Sequence, residues 1–149
     1  MNGKSLQRLL LALCVAMLAG CASVPMTAVE DDTRAKSFAV QPGKANIYVY
    51  RNESMGGVVA MTVSLNGRVV GRTAAKTYLL LEVDPGTYEI ASLTENTSTH
   101  KLMAQAGRNH FVWQEVKMGM FSARSELKEV DEATGRAGVM ECKRIQASF

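Results

Sequence analysis

From residue 44 onward turn signals interrupt the chain at short intervals, and this spacing restricts the fold more than any other feature. Ala45 to Arg51 (ANIYVYR) is rich in β-branched and aromatic side chains, which suit a pleated, half-buried backbone. Met61, Val63 and Leu65 alternate with Thr62 and Ser64, and Asn66-Gly67 then leads into Arg68 to Thr73. A type I′ turn needs positive φ at both central residues, which Asn and Gly accept, so this stretch predicts a hairpin. Tyr78 to Val83 (YLLLEV) is almost continuously apolar and stops at Asp84-Pro85-Gly86-Thr87, the composition of a type II turn. The return along Tyr88 to Leu93 predicts a second hairpin. Leu102, Ala104 and Ala106 alternate up to Gly107, Phe111 to Val116 contains the one Trp, Trp113, and Ser125 to Val130 is a weaker strand. Asp131 to Cys142 predicts a short helix capped by Asp131, with Gly135 and Gly138 lowering its propensity. Strands at roughly 8–12-residue spacing with no long helical period predict a mainly β fold, a small antiparallel β-sandwich with a short C-terminal helix over residues 44–149.

The N-terminus follows a different pattern. Lys4 and Arg8 precede an uninterrupted apolar run, Leu9 to Leu18, which ends at Ala19-Gly20-Cys21. Basic start, short apolar stretch and small-residue cleavage site are the order of a signal peptide. The run of about ten residues is well short of the roughly 20 that cross a bilayer as a helix. Leu18-Ala19-Gly20-Cys21 resembles the lipobox of bacterial lipoproteins, cut between Gly20 and Cys21. That resemblance implies a diacylglyceryl thioether on Cys21, which becomes the N-terminus and gains a third acyl chain. Two or more chains anchor a protein stably. The residue after Cys21 is Ala22 and not Asp, which favours the outer membrane, periplasmic face. The alternative is a secreted protein in which Cys21 is an ordinary residue.

Removing residues 1–20 takes two of the 17 basic residues and none of the 14 acidic ones, so the net charge falls from +3 to +1. A nearly neutral domain has no long-range field to draw in nucleic acid. Of the three cysteines, Cys14 leaves with the signal and Cys21 is modified. Cys142 then stands alone and reads as a small buried apolar residue, the alternative being a reactive thiol. Residues 21–43 are polar, without an apolar period, and read as a lipidated N-terminus and tether. Within it Asp31 or Asp32 is placed to cap a short helical turn through Lys36, with Phe38 as the one docking residue.

The catalytic inventory is thin. His100 and His110 lie at strand edges about ten residues apart and read as surface groups, since no His-x-His or Cys-x-x-Cys pair accompanies them for a metal. No Gly-x-Ser-x-Gly turn, P-loop or base beside Cys142 is present. The carboxylates Asp31, Asp32, Glu126, Glu129, Asp131 and Glu132 are interspersed with Lys and Arg and read as a solvated face. Tyr48, Tyr50, Tyr78, Tyr88, Phe111 and Trp113 fall on strands and read as core. No catalytic residue, metal or cofactor is expected, and the chain is not read as an enzyme.

The order Ala35-Lys36, Phe38, Ala45 to Arg51, Asn66-Gly67, Val70-Gly71, Val83 to Tyr88, Val116 to Gly119, Glu126-Leu127 and Val130 resembles a bacterial lipoprotein family. That family is known as domain of unknown function twenty-eight forty-six. The Pro-Gly turn is also similar to PEGA-like and carboxypeptidase-regulatory-like sandwiches, which are accessory modules. The resemblance implies a periplasm-facing sandwich with no catalytic residues to carry over. The expected function is therefore a lipid-anchored, non-catalytic binding or scaffolding module, held to the membrane by its anchor and meeting an envelope protein or cell-wall partner through a strand edge or a loop face. Two alternatives are a small ligand carrier or enzyme using Cys142 or a His–carboxylate pair, and an accessory lipoprotein of a secretion system.

Overall fold

The computed structural model describes residues 23–148, so the expected signal segment, cleavage site and Cys21 lie outside the described residues. The elements are α1 (Val29–Ala35), β1 (Ala45–Arg51), β2 (Met61–Leu65), β3 (Arg68–Thr73), β4 (Thr77–Val83), β5 (Gly86–Leu93), β6 (Thr97–Ala104), β7 (Asn109–Met118), β8 (Ala123–Val130), α2 (Glu132–Met140) and β9 (Lys143–Arg144). They build two sheets, one in the order β8-β7-β1-β4-β9 and one in the order β3-β2-β5-β6.

The sheets face each other across an apolar layer. Ile47 and Val49 of β1, Leu79 and Leu81 of β4 and Val112 of β7 meet Val63, Ile90 and Leu102 of the smaller sheet. Residues alternate across a strand, so Tyr48, Tyr50, Tyr78, Leu80 and Phe111 point out of the back of the larger sheet. There they pack under Ala35, Phe38, Val139 and Cys142 of the helical segments. The larger sheet is thus covered on both faces, which is why all seven residues of β1 are buried. It also explains why β4 reads as an apolar run instead of an alternation. Strands and C-terminal helix are as expected, and the aromatics Tyr48, Tyr50, Tyr78 and Phe111 are core.

Asn66 (φ 49°) and Gly67 (φ 80°) form the predicted turn between β2 and β3. The second predicted hairpin does not form. β4 pairs with β1 and β9 whereas β5 pairs with β2 and β6, so Asp84-Pro85 carries the chain from one sheet to the other. The larger sheet is also mixed: β1 runs parallel to β7, and β4 parallel to β9.

The expected tether over 21–43 is, from residue 24 on, part of the fold. Val24 packs against the inter-sheet core and Met26 bridges Ile145. The α1 segment docks through Ala35 and Phe38. Asp31 and Asp32 do not cap it, because Ala28 occupies the cap position and both acids lie in the first turn. Asp32 instead accepts hydrogen bonds from the Tyr78 hydroxyl (2.8 Å), Lys36 Nζ (2.9 Å) and the Arg144 amide (3.0 Å). Burial pushes this carboxyl up, but those bonds outweigh it and hold it below the ordinary Asp range.

α2 begins as predicted, with the Asp131 carboxylate accepting from the Thr134 amide at 2.9 Å. Its two glycines are contact residues: a Cβ at Gly135 would fall inside the Phe111 side chain, and one at Gly138 inside the Tyr50 ring. Gly135→Ala and Gly138→Ala should each lower stability by about 1–3 kcal/mol through overpacking. Thermal unfolding checks this, and an unchanged midpoint for both would show that the helix does not press on the sheet as described.

Candidate functional site

β1 and β7 run parallel, so the loops that follow them, residues 52–60 and 119–122, leave the sandwich at the same end. They pack together where Gly56 (φ 64°) lies against Val116 and Ala123, each 3.3 Å from where its Cβ would stand. Large apolar side chains of both loops and of the last residue of β7 nevertheless face solvent. Met55 is 58% exposed, Val58 73%, Met118 86%, Met120 81% and Phe121 90%. Between the loops runs an open cleft of about 420 Å³ lined by these residues. Single exposed apolar residues need no explanation, whereas a contiguous group marks a contact surface.

Both loops are held by charged groups that do not belong to their tips. Arg51, the last residue of β1, is fully buried. Its guanidinium donates to the carbonyls of Val59 (2.7 Å), Met55 (3.0 Å) and Gly56 (2.6 Å). Glu95, from the connection between β5 and β6, accepts from three successive amides, Met120 (2.9 Å), Phe121 (2.8 Å) and Ser122 (2.7 Å). These amides hold its carboxyl below the ordinary Glu range. The next residue, Asn96, fixes Glu95 in place: its side chain accepts from the Ser125 amide and donates to the Ser125 carbonyl, both at 2.9 Å. A buried network continues inward from there, with Ser125 on Ser92, Ser92 on Gln114 and Gln114 on Thr73. The apolar tips are therefore displayed on restrained backbone, which lowers the ordering entropy of any contact they make.

The other candidate residues are placed as follows. Cys142 is buried, 3.5 Å from the Arg51 carbonyl, and burial pushes its thiol up to about 12. His100 and His110 are not independent surface groups, since the adjacency of β6, β7 and β8 brings both to Glu129. His100 Nε2 is 3.2 Å from one carboxylate oxygen and His110 Nδ1 3.7 Å from the other. His110 Nε2 accepts from the Gln105 amide at 3.1 Å, so Nδ1 carries the ring proton toward Glu129. Among the described residues no group of three His, Cys, Asp or Glu is arranged to hold a metal. Trp113 is half-buried beneath the Lys128 ammonium, 5.6 Å from its ring. Glu126 pairs with Lys117 and Lys128, and Glu132 with Arg136, as a solvated face would.

The molecule is thus a small two-sheet β protein with helices over one back face and an apolar loop pair at one end. The chain belongs to the family described as "Protein of unknown function (DUF2846)", whose model matches residues 41–126. A relative from Haemophilus influenzae, an "Uncharacterized protein", is 26% identical over 125 residues, which cover 83% of this chain and 74% of that protein. No solved structure matches the chain.

Two outcomes follow. Glu95→Ala should leave the fold intact but raise the mobility of residues 119–122, seen as lower amide order parameters and faster hydrogen exchange at Met120, Phe121 and Ser122. In the wild type the same protection should be present above the ordinary Glu pKa and be lost as pH falls through the depressed one. Loss at neutral pH would contradict the clamp. For Cys142, a maleimide should label only after unfolding, and rapid labelling of the native chain would refute its burial.

Proposed function

We propose that this chain is a lipid-anchored cell-envelope protein on the periplasmic face of the outer membrane, whose sandwich is a non-catalytic binding or scaffolding module. The lipobox resemblance at Leu18 to Cys21 supports the anchor, and Ala22 supports the outer membrane. The observation that carries the binding role is the loop pair: five large apolar side chains in solvent, on backbone held by Arg51 and Glu95. Such a surface left uncovered is an aggregation hazard, so its retention on restrained loops favours contact with a partner. A strand edge is the poorer candidate at this end. The β8 edge is already taken by side chains of β6 and its turn, Asn96 on Ser125 and Ser98 on the Leu127 amide at 2.9 Å. The reading of Cys142 as a nucleophile has little support, since the thiol is buried and protonated at neutral pH.

Cys21→Ser should abolish incorporation of radioactive palmitate, and undiminished labelling would remove the anchor from the reading. Met120→Glu combined with Phe121→Glu changes only exposed tips, so melting temperature and circular dichroism should match the wild type. The same variant should fail to complement a deletion strain. Full complementation would remove the loops from the function.

A further inference from the structure

We infer that the apolar loop pair takes the apolar face of an amphipathic α-helix from a different protein, located away from the membrane that carries Cys21. The orientation rests on the lipid-anchor reading above, and the occupant follows from the loops themselves.

Orientation comes from where the chain leaves the fold. β4 starts at Thr77, opposite Arg51 and therefore at the loop end, and β9 runs parallel to it. The segment before α1 runs antiparallel to that continuation, with the Thr27 amide on the Arg144 carbonyl (3.1 Å) and the Gln146 amide on the Pro25 carbonyl (2.9 Å). Followed back toward Ser23, the chain moves away from the apolar loops. Only Ala22 then separates Ser23 from Cys21. A strand the length of β4 spans roughly 23 Å, so Ser23, the first described residue, and the loop tips lie toward opposite ends of the sandwich. The tips face away from the bilayer that anchors the chain. A second copy seated tip to tip would send its anchor in the opposite direction, which two chains in one leaflet do not permit.

The chemistry of the surface selects among other partners. An incoming strand needs a run of free backbone donors and acceptors along one edge, and several of those nearest the tips are engaged. The Met120, Phe121 and Ser122 amides are on Glu95, and the Met55, Gly56 and Val59 carbonyls are on Arg51. The Ser125 and Leu127 amides of the adjoining β8 edge are on Asn96 and Ser98. The tips therefore offer large apolar side chains more than a backbone edge. A helix satisfies its own backbone and presents only side chains, so it can cover such a surface without stranding polar groups. Three of the five exposed residues are Met, whose unbranched chains adapt to a helix face. At about 200 Å² for a large side chain, the group exposes on the order of 700 Å², close to the roughly 800 Å² that one partner contributes to a stable interface.

The test places the photocrosslinker benzoyl-phenylalanine at position 121 of the full-length chain in cells, with a control at Arg68 beside the Asn66-Gly67 turn. The expected result is an adduct at 121 and not at 68, lost when Met120→Glu is added. Its crosslinked peptide, mapped by mass spectrometry, should carry apolar residues at three- and four-residue spacing. An adduct to a second copy, to lipid or to an extended segment would overturn the helix partner while leaving the loops as a contact surface. No adduct above the control would overturn both. Palmitate labelling of the same cells separates these failures from failure of the anchor.

Discussion

The strand β1 must be buried on both faces, and most of the architecture follows from that requirement. Its inward residues, Ile47 and Val49, require a second sheet, and its outward residues, Tyr48 and Tyr50, require a cover on the other side. A two-layer sandwich would leave those tyrosines in water. The N-terminal arm and α2 supply the third layer, with the Tyr48 hydroxyl donating to the Ala35 carbonyl at 2.8 Å. Gly135 and Gly138 let α2 approach the Phe111 and Tyr50 rings as closely as the burial demands. Residues that weaken a helix in isolation are thus the ones that allow this helix to dock.

The same strand links the core to the apolar surface. Arg51 closes β1, and its buried guanidinium donates from both Nη atoms to loop carbonyls and not to a carboxylate, while Nε has no partner among the described residues. A buried charge without partners is costly, so the loop between β1 and β2 is drawn into a shape that supplies them. On the facing hairpin the sign is reversed, with Glu95 collecting amides. One loop is organised around a cation and the other around an anion, which leaves the apolar tips of both facing outward.

Much of the fold was legible in local pattern. The Asn66-Gly67 turn, the strands at 45–51 and 61–73, and the Asp131 cap depend on residues adjacent in the chain, and all stand where the sequence places them. The error at Asp84-Pro85 is instructive, because a Pro-Gly turn between two apolar runs serves equally for a hairpin and for a crossing between sheets. The choice depends on which strands need β4 as a neighbour, and that is a long-range matter. The docking of Phe38 was legible, whereas the pairing of residues 25–27 with 144–146 was not, for a similar reason. The polar residues of this arm serve partly as ties to distant segments, as Asp32 does to Tyr78 and Arg144, while Glu30, Thr33, Arg34 and Ser37 face solvent.

The candidate site shows the same division. Nothing in the sequence joins Glu95 to Met120, which are 25 residues apart, or His100 to Glu129, which are 29 apart. The run Met118 to Phe121 lies just past the strand expected at 111–116, and nothing local to it tells that its side chains stay in water. By itself the sequence determined the strand periods, the tight turn, the helix cap and the address-like N-terminus, because each is set by neighbours within a few residues. Only the tertiary structure decided which strands pair, which faces are covered and which apolar residues stay in water. Those outcomes depend on pairings between distant segments, for which a local pattern carries no information.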